Sequence, residues 1–340
     1  MNINKIKVVE LFGGIGAIRK ALIRTIKPPN FEIIDYVESD KKTVNAYNAI
    51  YNDFYKPLDI RDYSLPNNIN VDLLFHGSPC QDFSCAGKNI GGSKESKSRS
   101  SLLWETIRII KEAQIKPKIV IWENVKNVLS KKHKPIFDAY IKALNDLGYV
   151  SHYKIINSLD CGIPQSRNRV FTVSINKNYL KQFNNLDTFN CLNNKYKNIN
   201  DFLQPNVINP KYFIRTNCPS MINAIANHKI KIIENKVFTI TTKQMRWNNQ
   251  GVVKVEISKV PNNSNLAKMI IDNKPYYLRV ITPLEAMLLM GYDQQDYERI
   301  KNFCDSQIYK FAGNSIVVNV LQEIIKHVFK LNKRIKYDKK

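Results

Sequence analysis

The chain has 340 residues, 44% hydrophobic and 24% charged, values ordinary for a soluble globular protein and sufficient for one large domain with a smaller companion. Its 52 Lys and Arg against 29 Asp and Glu leave a formal net charge of +23, a field that attracts polyanions, nucleic acid ahead of an anionic membrane surface. The six cysteines are scattered without a Cys-x-x-Cys pair, which argues against zinc, so no metal is expected. No signal-like N-terminal region and no apolar run near the ~18 residues of a membrane span is present, so a reduced cytoplasm without membrane insertion is the expected setting.

In chain order, "IKVVELF", "FEIIDYVE", "VDLLFHG", "PKIVIWEN" and "RVFTVSI" read as buried strands. "AIRKALIRTI", "KTVNAYNAIYN", "SLLWETIRIIKEAQ" and "PIFDAYIKALNDLG" read as the helices between them. This alternation predicts an α/β fold, a doubly wound and mostly parallel sheet covered on both faces, with ligands beyond the carboxyl ends of the strands. Residues 176–278 break the pattern, being rich in Asn and Lys with prolines at Pro205, Pro210 and Pro219; they are expected to form a smaller, irregular β and loop domain. A helix should follow in "TPLEAMLLMGY", with Thr282 as N-cap and Pro283 at its first position. "SIVVNVLQEIIKHVFKL" reads as a closing helix, and 331–340 as a basic, frayed tail.

Three successive strand ends carry a cofactor signal. "VVELFGGIGAIRKAL" is a strand, a turn with Gly13, Gly14 and Gly16, and a helix; glycines there permit a tight turn and close backbone approach to a ligand. The match to G-x-G-x-x-G is incomplete, since Arg19 takes the third glycine position. Glu38 ends the next strand, where a carboxylate accepts both ribose hydroxyls, and Asp59 ends the following segment, where it can accept from an adenine amino group. NAD and S-adenosylmethionine both satisfy that pattern.

The chemical end lies on the same rim. Cys80 follows a strand in "GSPCQDFSCAG", Glu123 and Asn124 end the next in "WENV", and "GIPQSRNRVFTV" supplies Gln165, Arg167 and Arg169. The thiolate is a nucleophile, and on a strand Arg167 and Arg169 would share one face. Nucleophile, acid and paired arginines make a candidate active site.

The ordered series "ELFGGIGA", "GSPCQDFSCAG", "WENV", "QSRNR", "RVITPLEAMLLMGY" and "YKFAGNSIVVNV" resembles the cytosine-C5 DNA methyltransferases of bacterial restriction–modification systems, over residues 8 to 321. The resemblance implies an S-adenosylmethionine-dependent methyltransferase fold, with 1–175 plus 310–330 as catalytic and cofactor domain, 176–278 as target-recognition domain and 279–309 as a connecting helical segment. It implies that Cys80 attacks C6 of a flipped-out cytosine, Glu123 holds N3 and the exocyclic amine, Arg169 holds O2, and Arg167 orients Glu123. Cofactor contacts are expected from Phe12, Gly13, Gly14, Ile15, Gly16, Glu38, Asp59, Ile60, Pro79, Leu102, Asn314 and Ser315, with S-adenosyl-L-methionine as the donor. Gln81, Ser84 and Arg99 are expected on the DNA backbone around the extruded nucleotide. Three departures stand out: "FGG" replaces the usual Phe-Ala-Gly, Ala17 stands where a glycine is common, and Ser39 stands where an aromatic often follows the ribose glutamate.

Within "FTITTKQMRWNNQGVV", Thr239, Thr241, Lys243, Gln244 and Arg246 are the candidates for base reading, Thr239-Ile240-Thr241 resembling the family's Thr-hydrophobic-Thr pair. His76, Trp104 and Trp122 are expected in the core, and Cys85 to be a bystander. The partner is double-stranded DNA, with room for a companion restriction endonuclease acting on the same site, and a monomer is the default. The competing readings are the tRNA-methylating branch, disfavoured by the lack of Cys-Phe-Thr, an inactive DNA-binding relative, and a nicotinamide dehydrogenase.

Overall fold

The apolar run Ile6–Leu11 forms β1, and Phe31–Val37 forms β2 beside it in parallel. Between them lies α1 (Ala17–Thr25), and after them α2 (Lys41–Tyr51), whose first turn is capped by the Asp40 carboxylate accepting from the Lys42 and Thr43 amides. β3 (Leu73–His76), α3 (Leu103–Glu112), β4 (Ile119–Val125), α4 (Lys134–Asp146), β5 (Tyr149–Asn157) and β6 (Asn168–Asn176) complete a six-stranded sheet. Its order is β2-β1-β3-β4-β6-β5. The first four strands are parallel, while β6 runs antiparallel to both β4 and β5. The computed structural model describes residues 5–79, 99–191, 195–217, 219–227, 229, 231–243, 251–260 and 265–331. Cys80, Gln81, Ser84, Gln244 and Arg246 lie outside the described residues.

Every side chain of β3 is buried, as are six consecutive residues of β4. Strands covered on both faces read as continuous apolar runs, which is why the sequence located them. Val9, Leu11, Leu74, Val120 and Trp122 of the sheet join Leu103, Ile109 and Ile110 of α3 and Phe137, Tyr140 and Leu144 of α4 in one core cluster. Fully burying each such aliphatic side chain contributes about 1.5–3 kcal/mol. β5 was not foreseen: it lies at the sheet edge, where Ser151, His152 and Lys154 interrupt the apolar pattern.

The chain divides into two compact units: residues 1–157, 168–192 and 318–340, and residues 158–167 and 193–317. The first also holds the closing helix, α9, which packs on α1 and is tied to it by Arg24 Nη1 donating to Gln322 Oε1 at 3.3 Å. The second contains α5 (Pro219–Ala226) and a small antiparallel sheet of β7 (Val253–Glu256), β8 (Lys268–Ile271) and β9 (Lys274–Arg279), ordered β7-β9-β8. After it come α6 (Pro283–Leu289), α7 (Gln294–Ile300) and α8 (Asp305–Asn314), before α9 (Val318–Val328). α6 begins as its sequence predicts: Thr282 caps the Glu285 amide, the Glu285 carboxylate returns to the Thr282 amide, and Pro283 holds the first position. That carboxylate also makes a fully buried ion pair with Arg279 at 2.7 Å and accepts from the Gln204 amide. No described helix is long and apolar enough to cross a membrane.

Candidate active site and cofactor pocket

At the end of β1 the chain turns with Phe12, Gly14 and Gly16 all at positive φ, 53°, 57° and 77°. An L side chain is strained in that region, which explains the glycines and marks Phe12 as locally strained. The Gly13 amide donates to Val37 O at 3.2 Å, tying the turn to β2. Tyr36 OH donates to Gly14 O at 2.7 Å, and Tyr51 OH donates to Gly16 O at 2.6 Å. Beneath the turn Glu10 is fully buried, and burial pushes its carboxyl up to about 8, the nearby Arg19 charge opposing that rise. Tyr47 OH donates to Glu10 Oε1 at 3.3 Å. Arg19 pairs with Asp53, donates to Tyr47 OH, and lies 4.5 Å from the centre of the Tyr51 ring.

The carboxylates expected to hold the nucleoside are locked in place by local bonds. Glu38 Oε1 accepts from the Asp40 amide at 2.9 Å, while burial raises its pKa. Its carbonyl accepts from the Leu58 amide at 2.9 Å, so the segment bearing Asp59 is tethered to the end of β2. Asp59 accepts from the amide, Nε and Nη2 of Arg61, bonds that push its pKa down to about 2. It is therefore an acceptor throughout the neutral range. Buried Ile60 follows, and Arg108 Nη2 grips its carbonyl at 3.0 Å. The glycine turn, Glu38 and the segment bearing Asp59 are thus linked to one another at the ends of β1 and β2.

At the end of β3, Ser78 Oγ accepts from Trp122 Nε1 at 3.0 Å, both residues buried. His76 is a core residue, as expected: its Nε2 meets Tyr140 OH at 2.7 Å, and burial lowers its pKa to about 3, so it is neutral. Pro79 follows at the rim, half-buried. Leu102 ends the 3-10 turn Arg99–Leu102 and packs on the core below α3.

β4 and β6 set the position of the acid. Their register places Arg169 opposite Val125, so Glu123, two residues along β4, projects from the same face. Arg169 Nε lies 3.0 Å from Glu123 Oε1, with only 17% and 12% of the two side chains exposed. Arg169 Nη1 donates to Asn168 O.

Arg167 precedes β6 and belongs to the second unit. Its Nη1 donates to Ile240 O at 2.7 Å, and its Nη2 to Gly313 O at 3.1 Å and Ser315 O at 2.9 Å. The expectation that Arg167 and Arg169 share one face of a strand is met by Arg169 alone as a strand residue, because β6 begins at Asn168; Arg169 makes the ion pair to Glu123. Arg167 instead binds Ile240, between Thr239 and Thr241, to the segment bearing Asn314 and Ser315. A Cβ at Gly313 would lie 2.3 Å from the Thr241 and Thr242 main chain, so only glycine permits that approach. Gln165 adds to the hub, accepting from the Ile240 amide and donating to Leu289 O. Thr239 Oγ1 donates to Ser166 O, while Thr241 Oγ1 accepts from the Lys243 amide at 3.4 Å and Lys243 is exposed. Ser315 is buried against Tyr292 OH, and Asn314 is exposed at the end of α8.

The structure therefore joins Phe12 to Gly16, Glu38, Asp59 and Ile60 within the first unit, joins Glu123 to Arg169 there, and gathers Arg167, Thr239, Thr241 and Ser315 within the second. Sequence reasoning missed the tyrosines under the turn. Tyr47 and Tyr51 stand four residues apart on α2, a spacing that puts helical side chains on one face and could have flagged them.

A family model described as C-5 cytosine-specific DNA methylase matches residues 6–330. Type II methyltransferase M2.ScrFI of Lactococcus lactis subsp. cremoris is 30% identical over 379 residues, covering 96% of this chain and 99% of that protein. Type II methyltransferase M.HhaI of Haemophilus parahaemolyticus is 27% identical over 342 residues, covering 94% and 93%. Among solved structures, the Entamoeba histolytica methyltransferase EhMeth matches with a TM-score of 0.73 at 19% identity, over 97% of this chain and 99% of that one. The S. pombe Dnmt2 methyltransferase matches with a TM-score of 0.70 at 19% identity, over 98% and 100%. These two likenesses establish the fold.

Proposed function

The chain belongs to the C-5 cytosine-specific DNA methylase family, and on that premise we propose that it methylates C5 of a flipped-out cytosine in a short DNA sequence, with Cys80 as nucleophile and S-adenosylmethionine as donor. The observation that carries the reading is the Glu123–Arg169 pair, an acid and a fixed cation at adjacent strand ends. The Cys80 thiolate adds to C6 of the base, a bond later broken when the C5 proton leaves. Glu123 donates to N3 and accepts from the exocyclic amine, drawing electron density from C6. Arg169 holds Glu123 through Nε and offers Nη2 to O2 of the base. Arg167 is a positioning residue, through the carbonyls on either side of it.

The cofactor pocket fits the donor: the glycine turn leaves a cradle, Glu38 suits the ribose hydroxyls and ionised Asp59 the adenine amine. When bound, S-adenosylmethionine supplies an electrophilic methyl group on a sulfonium. Phe12, Ile15, Ile60, Pro79 and Leu102 would line its apolar surfaces, with Asn314 and Ser315 completing the contacts. Gln81, Ser84 and Arg99 are assigned to the DNA backbone, and Thr239, Thr241, Lys243, Gln244 and Arg246 to the target sequence. The similarity to type II methyltransferases supports a protective role in a restriction–modification system, with a companion nuclease on the same site and a monomeric enzyme.

DNA carrying 5-fluorocytosine tests the chemistry, because fluorine cannot leave C5 as a proton does and the thioether is trapped. With S-adenosylmethionine present, a denaturation-resistant protein–DNA adduct is expected, and none with Cys80→Ala. Methylation of ordinary DNA by Cys80→Ala would overturn the mechanism.

A further inference from the structure

The residues that hold the glycine turn from below come from two separate elements, and the family chemistry does not require them. Tyr36 is the penultimate residue of β2 and Tyr51 ends α2. Their hydroxyls donate to alternate carbonyls of one turn, those of Gly14 and Gly16. Across a planar trans peptide the C=O and the following N–H point in opposite directions. Anchoring these two carbonyls on the tyrosine side therefore fixes the N–H groups of Ile15 and Ala17 toward the other.

The rings matter as well as the hydroxyls. A Cβ at Gly13 would lie 2.6 Å from the Tyr36 ring, and one at Gly16 would lie 2.4 Å from the Tyr51 ring. Real side chains do not approach so closely, so Tyr36 and the glycine at position 13 require each other. That accounts for "FGG" in a position where alanine is usual. Tyr36 and Tyr47 are stacked with centroids 3.8 Å apart, and Tyr47 contacts Tyr51 at 4.8 Å. The cage is therefore a continuous aromatic layer rather than two independent contacts.

We infer that Tyr36 and Tyr51 are cofactor-positioning residues, which preorganise the Gly13–Gly16 turn for S-adenosylmethionine through hydrogen bonds to the Gly14 and Gly16 carbonyls. The inference rests on the cofactor reading given above. A turn held in its ligand-bound shape loses less freedom on binding, so the effect falls on affinity rather than on the chemical step.

The test is calorimetric titration of the full-length protein with S-adenosylmethionine and with S-adenosylhomocysteine. It compares wild type, Tyr36→Phe, Tyr51→Phe and the double variant. Each lost hydroxyl should weaken binding about three- to tenfold, raise KM for the cofactor alike, and leave kcat at saturating cofactor unchanged. Gly13→Ala should weaken binding too, and adding Tyr36→Val should restore part of it by removing the ring the new methyl strikes. Wild-type binding with unchanged affinity in the Phe variants overturns the inference, as does a loss of kcat in proportion to the loss of affinity. Absence of binding by the wild type overturns the cofactor reading itself, and the inference with it.

Discussion

Arg169 Nε sits 3.0 Å from Glu123 Oε1, across a pair of antiparallel strands whose register places both side chains on one face. If this carboxyl donates to the base, Glu123→Gln should lower the single-turnover methylation rate by about 10²–10⁴-fold, while DNA and cofactor affinities stay near wild type. Arg169→Lys keeps the charge but loses the planar fork that holds Glu123 and, in the proposed mechanism, the base. It should reduce the rate at least about tenfold, measured in the same assay.

Glu10 predicts an unusual pH dependence. Its folded value, about 8, lies above its ordinary 4.5, so between those limits the folded protein holds a proton the unfolded chain has released. The associated stability is full below the ordinary value and is lost as pH rises toward 8, at up to ~1.4 kcal/mol per pH unit. Arg19, Asp53 and Tyr47 surround the carboxyl, and Arg19 moderates the loss. Chemical denaturation from pH 5 to pH 8 should show a falling stability in wild type and a flatter profile in Glu10→Gln.

The Arg279–Glu285 pair is fully buried. Arg279→Leu leaves an uncompensated carboxylate that also serves the Thr282 cap and the Gln204 amide, and should destabilise the second unit by about 3–5 kcal/mol. Replacing both partners by leucine should recover part of that loss. Urea unfolding of the single and double variants reads the difference.

The net charge of +23 predicts strongly salt-dependent DNA binding. Each phosphate contact contributes a slope of about −0.9 to log K against log salt, and fluorescence anisotropy between low and physiological salt should give a steep line. A flat response would mean that the charge is not directed at phosphate.

The parts of this protein most legible in its sequence were those where one physical requirement dominates. β3 and β4 announce themselves because strands buried on both faces must be apolar throughout, and Glu123 stands out because a carboxylate within such a strand is costly without a task. Thr282 and Pro283 gave the start of α6 by capping chemistry alone. β5 was hidden because an edge strand exposes Ser151, His152 and Lys154 to solvent. The distinct placements of Arg167 and Arg169 turn on whether β6 begins at Asn168, a boundary no residue type marks. The Arg61 grip on Asp59 and the tyrosine cage under the glycine turn are tertiary or fork-geometry features, which spacing alone leaves among many alternatives.

The most direct test treats unmethylated double-stranded DNA of diverse sequence with S-adenosylmethionine and either the wild-type protein or Cys80→Ala, then maps 5-methylcytosine by bisulfite sequencing. Conversion-resistant cytosines within one short motif, present with the wild type and absent with the variant, are the predicted result. Cofactor binding without any methylated cytosine, or equal methylation by Cys80→Ala, would contradict it.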